Sequence, residues 1–174
     1  MQYLVFALLL NSNYLKDSLK THYTITDTNN NERVGHEFLI DLTEFKQLGI
    51  TEKDIAKRMM DYSFHPGTMS WPKPGVIMFE PTESESKYEL DRLIDALINI
   101  RKEIDEIKEG KYSLENNVLK NSPHCLKMIN QSEGWVYDYS IQKAFYPSKY
   151  LDHNKYYPTT TRVNDHAGDK SIIK

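Results

Sequence analysis

Leu90, Leu93, Ile94, Leu97, Ile100, Ile104 and Ile107 recur three or four positions apart. That spacing lines one face of a helix. Thr82, with Glu85 three residues on, reads as a capping box. Gly110 stands where a C-cap glycine belongs. The pattern predicts a helix over 83–109, with Lys108 favourable at its negative end. Leu8, Leu15 and Leu19 share a face in 8–23, a second helix, with Asn11, Ser12 and Lys16 around it. Phe38, Ile40 and Leu42 alternate with Glu37 and Asp41, the period of a strand over 36–42 with one dry face. Thr51 and Asp54 offer an N-cap and its acid partner. Ile55, Ala56, Met59 and Met60 then line a helix ending near Tyr62. Val76–Phe79 is a short apolar run that reads as a buried strand. Between these, 64–75 holds Pro66, Gly67, Pro72, Pro74 and Gly75, so it is not regular throughout.

The remainder is less periodic. Residues 27–33 form a polar turn, and 116–120 have room for one helical turn. From Ser132 onward no period is sustained. We expect a lobe over 1–131 and a wrapping tail over 132–174, held by Trp135, Phe145, Tyr146, Tyr150, Tyr156 and Tyr157. Aromatic rings with polar tips suit such half-buried positions. The fold class is α/β in the mixed α+β sense, a small sheet with packed helices. The run at 4–10, LVFALLL, has no preceding positive residue and no small-residue cleavage site after it. It is too short to span a bilayer. It reads as a buried helix or strand of a larger design.

Charge and chemistry narrow the classes. The 174 residues carry a net charge of −3, with basic residues scattered among acids, which gives no electrostatic case for nucleic acid or an anionic membrane. The single cysteine, Cys125, has no internal disulfide partner, so a reducing compartment is the default. His124, His153 and His166 lack metal-ligand spacing. Ser70 sits in no nucleophile elbow, and no phosphate-binding glycine motif occurs. Glu80, Glu83 and Glu85 fit acid–base chemistry or simple helix capping, and residue types alone favour capping. His65 fits a base, a stacking group or an ordinary loop histidine. Met69, Trp71 and Pro72 fit a ligand wall or turn packing. Arg162 fits an anion site or, more commonly, a tail salt bridge.

Several blocks taken together resemble one family. HEFLIDL (36–42), DIAKRMMDYSFH (54–65), TMSWPKPG (68–75), EPTESES (80–86), LDRLIDALINIRKEI (90–104) and NNVLKNSPH (116–124) are similar to the C-terminal region of the glycine cleavage system P-protein, glycine decarboxylase. So are AFYP (144–147), YYP (156–158) and TRVND (161–165). They stand in the family's order with about its gaps, from Asn11 to at least Lys170. Three departures stand out. Ser63 occupies a position where the family usually has Gly, DHAGD (165–169) differs from the family's motif, and SIIK (171–174) replaces a Cys-containing finish.

The resemblance implies the C-terminal lobe of a fold-type I pyridoxal-phosphate (PLP) enzyme. In that family glycine is decarboxylated, with PLP as the electron sink, and its aminomethyl group passes to the lipoyl arm of H-protein. The lysine that holds PLP belongs to the large lobe, and no lysine here matches its segment. No catalytic, cofactor-binding or metal-binding residue is therefore assigned. The resemblance points to His65, Thr68, Ser70, Trp71, Glu83 and Glu85 as substrate-channel lining. The partners implied are an upstream PLP-binding lobe and the H-protein lipoyl arm, in a homodimer or a split heteromer, with neither nucleic acid nor membrane. The compartment implied is the mitochondrial matrix in a eukaryote and the cytoplasm in a bacterium. This chain alone is expected to be inactive. Two readings stand beside it: a non-catalytic interaction or structural module, and an independent small-molecule-binding domain.

Overall fold

A computed structural model describes residues 2–130 and 134–163. Gln131 to Glu133 at the expected lobe–tail boundary, the expected motifs DHAGD and SIIK, and His166 lie outside the described residues. The order is α1 (Gln2–Leu19), β1 (Thr24–Thr26), β2 (Phe38–Asp41), α2 (Glu52–Asp61), β3 (Thr68–Met69), β4 (Val76–Phe79), α3 (Lys87–Lys108), α4 (Ile141–Phe145) and α5 (Leu151–Asn154). The strands form one antiparallel sheet in the order β1-β2-β4-β3. This is the mixed α/β class expected, a small sheet with helices packed on it.

Register explains the dry face. Phe38 pairs with Phe79 and Ile40 with Ile77, so four core side chains share one side of the sheet. The two phenyl rings stack at 5.5 Å. The opposite face is less polar than the alternation predicts, because Leu39 and Val76 are buried there too. Leu15 and Leu19 of α1, Ile55, Ala56 and Met59 of α2, and Leu90, Leu97, Ile100, Ile104 and Ile107 of α3 complete the core.

Three boundaries correct the sequence reading. α3 begins at Lys87, not at 83, because Ser86 is the N-cap and its hydroxyl accepts from the Glu89 N–H at 3.2 Å. Thr82 lies in the preceding turn, where its carbonyl accepts from Asn11 Nδ2 and the Glu85 N–H. At the other end Gly110, with φ +78°, ends the helix as expected. α1 starts by Gln2 and stops at Leu19; Tyr23 leaves the helix and donates its hydroxyl to the Leu97 carbonyl. The 4–10 run is helical but not buried, with Leu4, Val5, Phe6, Leu9 and Leu10 exposed. Residues 116–120 form a turn, in which Asn117 Oδ1 accepts from the Leu119 and Lys120 N–H groups. Residues 134–163 contribute Tyr139, Ala144, Phe145 and Leu151 to the interior, while Tyr156 is exposed.

Candidate functional site

The loop after α2 is set by one residue. Ser63 adopts φ +63°, the left-handed conformation that usually ends a helix with glycine. Its hydroxyl accepts from the Tyr156 N–H at 2.7 Å, tying the tail to this turn. The chain then passes through His65 and Pro66 to Gly67. A Cβ at Gly67 would lie 2.2 Å from the Met78 carbonyl oxygen, so only glycine lets the loop close on β4.

That closure leaves a cleft of about 350 Å³. Leu15, Met59, Phe79, Leu90 and Leu93 form its apolar lining, and His65, Glu80, Glu85 and Glu89 supply its polar groups. Glu89 is held by Arg92 Nη1 at 2.8 and 2.6 Å. The Arg92 guanidinium lies over Tyr150 at 4.4 Å and over Phe64 at 5.1 Å. Glu80 approaches His36 at 3.7 Å.

Of the expected lining residues, His65 and Glu85 meet in this cleft. Thr68 lies in β3, and Ser70 and Trp71 follow it in the β3–β4 connection. Ser70 has φ +57°, donates its hydroxyl to Glu52 Oε1 at 2.5 Å and its N–H to the Val76 carbonyl. These bonds fix the tip, on which Trp71 is 63% exposed. Glu83 is exposed in the 82–85 turn and does not line the cleft.

The sequence reading missed a buried ionic core beneath the loop. Arg58 uses all five of its N–H groups. Nε and Nη2 donate to Glu103 at 2.9 and 2.6 Å, and Nη1 donates to Asp61 at 3.0 Å. The remaining two bonds go to the Ala144 and Lys143 carbonyls of α4. Asp61 also accepts from the His124 N–H and from His124 Nδ1, both at 2.7 Å, while His124 Nε2 lies 2.9 Å from the Tyr139 hydroxyl. Burial lowers the His124 pKa more than Asp61 raises it, so the ring is neutral: Nδ1–H donates to Asp61 and Nε2 accepts from Tyr139. Burial works against ionisation of Asp61, yet its bonds from His124 and the Arg58 charge hold its carboxyl below the usual carboxylate range. A signal was present: Arg58 and Asp61 are three apart on a helix whose neighbours Ile55 and Met59 are core, and Glu103 adjoins Ile104. Arg162 takes the commoner of its two fates, pairing with Asp54 and donating to the Leu119 and Ser122 carbonyls.

The donor set of the cleft does not fit PLP. A phosphorylated aldehyde needs an amine for the aldehyde and cationic or N–H donors for the phosphate. Three carboxylates line the cleft, and among the described residues no lysine does. Among the described residues no group of three metal-ligating side chains is assembled either.

The antiparallel sheet with helices packed on it is consistent with the C-terminal lobe of a PLP-dependent transferase. The family model described as "Glycine dehydrogenase, C-terminal domain" matches residues 5–124. The mitochondrial glycine dehydrogenase (decarboxylating) of Dictyostelium discoideum is 51% identical over 95% of this chain and 17% of its own length. A putative counterpart in Schizosaccharomyces pombe is 48% identical over 96% of this chain, and one in Arabidopsis thaliana is 48% identical over 95%, each over 16% of its own length. The chain belongs to the glycine dehydrogenase family, in its C-terminal domain. It spans about one-sixth of the length of the curated relatives it matches.

Proposed function

We propose that this chain serves as the C-terminal domain of a PLP-dependent glycine dehydrogenase (decarboxylating), and that it walls the substrate side of the site. In this reading glycine loses CO2 and its aminomethyl group passes to the lipoyl arm of H-protein in the mitochondrion. A PLP-binding lobe upstream, in a homodimer or a split heteromer, completes the enzyme. PLP, held by that lobe, supplies the electron sink. In the same reading 1–131 are the lobe and 132–174 its tail.

The chain's own part is positioning. His65 and Glu85 present polar groups at the mouth of an apolar cleft. Such a wall excludes water and orients a small polar substrate beside it. Thr68, Ser70 and Trp71 extend the wall along a hairpin tip, and Glu83 adds charge at its edge. The observation that carries the reading is the family match over residues 5–124, which includes all six of these residues.

Grafting tests it. This chain replaces the matching region of the Dictyostelium enzyme, and exchange of labelled CO2 into glycine is followed with H-protein present. We expect the chimera to exchange. His65→Ala and Glu85→Gln should raise KM or lower kcat at an unchanged melting midpoint. The isolated chain with PLP should exchange nothing. Robust exchange by the isolated chain, or wild-type kinetics in both variants, refutes the assignment.

A further inference from the structure

The largest of the described cavities, about 510 Å³, shares no residue with the cleft. It opens where the end of α1 meets β1, the polar turn after β1 and Arg101 of α3. No other arginine lines a described cavity. Arg101 is held there in one pose. Its Nε donates to Asp105 at 3.1 Å, its Nη1 donates to the His22 carbonyl at 2.9 Å, and its guanidinium lies 4.8 Å over the Phe45 ring. Among the described residues Nη2 has no hydrogen-bond partner. Glu44 Oε1 stands 3.6 Å from Arg101 Nη1, beyond hydrogen-bond range, and among the described residues its carboxylate accepts no hydrogen bond.

We propose that this cavity is a binding site for a small zwitterion, an α-amino acid with a polar side chain, whose carboxylate meets Arg101 and whose ammonium meets Glu44. The two charged ends of an α-amino acid are one carbon apart. They need an acid and a base standing side by side but not joined to each other, and Glu44 and Arg101 stand so. The bonds to Asp105 and His22 aim the guanidinium before any ligand arrives, so little ordering is left to binding. A charge-assisted bond from Nη2 to a carboxylate is stronger than one between neutral groups.

The rest of the lining decides the ligand's charge and its side chain. Lys16 and Lys20 add positive charge to the wall, and Glu32 adds negative charge. A bare anion would face two glutamates and a bare cation would face three basic groups, whereas a zwitterion opposes neither set. Lys16 is nearly buried, with its side chain 4% exposed. Its Nζ commits two of three N–H groups, to Asp17 and to the Glu32 carbonyl, both at 2.7 Å. The hydroxyls of Thr24 and Thr28 also line the cavity, and among the described residues neither has a hydrogen-bond partner. These groups suit a hydroxyl or amide on the ligand and leave an apolar side chain unmatched.

The full chain, labelled with nitrogen-15, is titrated with three probes in parallel. L-Serine carries both charges. 3-Hydroxypropionate is L-serine without the ammonium group, and ethanolamine is L-serine without the carboxylate. L-Serine should shift the Arg101 Nε resonance and the Thr24 and Thr28 amides saturably, and each single-charge probe should bind about tenfold more weakly. Arg101→Gln and Glu44→Gln should each weaken L-serine by a similar factor. Glu44 is half-exposed, so its variant should keep the parent melting midpoint and decides the matter even where Arg101→Gln fails to fold. The absence of saturable shifts overturns the proposal. So does equal affinity for L-serine and either single-charge probe, an unchanged affinity in Glu44→Gln, or L-serine shifts centred on His65 and Glu85 instead.

Discussion

Arg58 shows what one residue holds together. Its guanidinium joins α2, α3 and α4 through two carboxylates and two carbonyls while fully buried. Removing one partner of a buried ion pair strands the others, so Arg58→Met should cost about 3–5 kcal/mol in a urea melt. A loss under 1 kcal/mol would mean that relaxation or water satisfies Glu103 and Asp61. His124 makes a second point. Its pKa is lowered in the fold from 6.5, so folding favours the neutral ring. The stability this contributes is complete above pH 6.5 and is lost as pH falls from there toward the folded value. Asp61 has the same sign lower down: its contribution is present above 3.8 and is lost as pH falls through its folded value. Urea midpoints should therefore hold between pH 7.5 and 6.5 and then decline, and His124→Gln should flatten the first part of that decline. An identical pH slope in the variant would place the acid sensitivity elsewhere. This cluster was not singled out from sequence, because the position of a charge along α2 or α3 does not show which residue of another element it meets. Only tertiary packing brings Arg58, Asp61 and Glu103 together with a histidine 63 residues after Asp61.

Elements were more legible than their ends. α3, β4 and α2 follow from periodicity and caps, and Thr51 with Asp54 makes the capping box the sequence predicts. The start of α3 was misplaced because two capping patterns lie in tandem. Thr82 with Glu85 and Ser86 with Glu89 have the same spacing, and spacing cannot rank them. The helix takes the second, while Thr82 serves Asn11 with its carbonyl. Ser86→Ala should therefore cost about 0.5–2 kcal/mol, whereas Thr82→Ala, which removes no cap, should stay within about 0.5 kcal/mol. Equal losses in both melts would contradict this start. Gly67 belongs to the same scale, since its lack of a side chain seats the loop on β4. Gly67→Ala should cost about 1–3 kcal/mol by overpacking, and it should shift the His65 ring resonances in a proton spectrum. Unmoved resonances would separate the loop's seating from the cleft. His65 and Glu85 could be nominated from their motifs, but not their meeting, which depends on β4 and the α3 start lying side by side.

At the scale of the whole molecule, ordered motifs placed the chain in its family, yet they left open what its surface does. Periodicity sorts residues by face only where a helix has one buried side. The first turns of α1 are apolar on every side, so no pattern distinguished an interior face there, and the expected burial did not occur. Tyr3, Leu4, Val5, Phe6, Leu9 and Leu10 are all exposed, whereas Leu15 and Leu19 on the same helix are fully buried. The second half of α1 therefore belongs to the core and the first half to the surface. Contiguous exposed apolar area of this kind drives association. The isolated chain should self-associate with rising concentration and bind a hydrophobic dye. Phe6→Ser with Leu10→Ser should weaken both. Because neither side chain contributes to the core, the melting midpoint measured at low concentration should correspond to a change within about 0.5 kcal/mol. Size-exclusion chromatography with light scattering, run beside the melts, checks both halves of the claim. If the parent chain stays monomeric across the range, the exposed turns are not an association surface. If the double variant melts early, they pack on the domain itself.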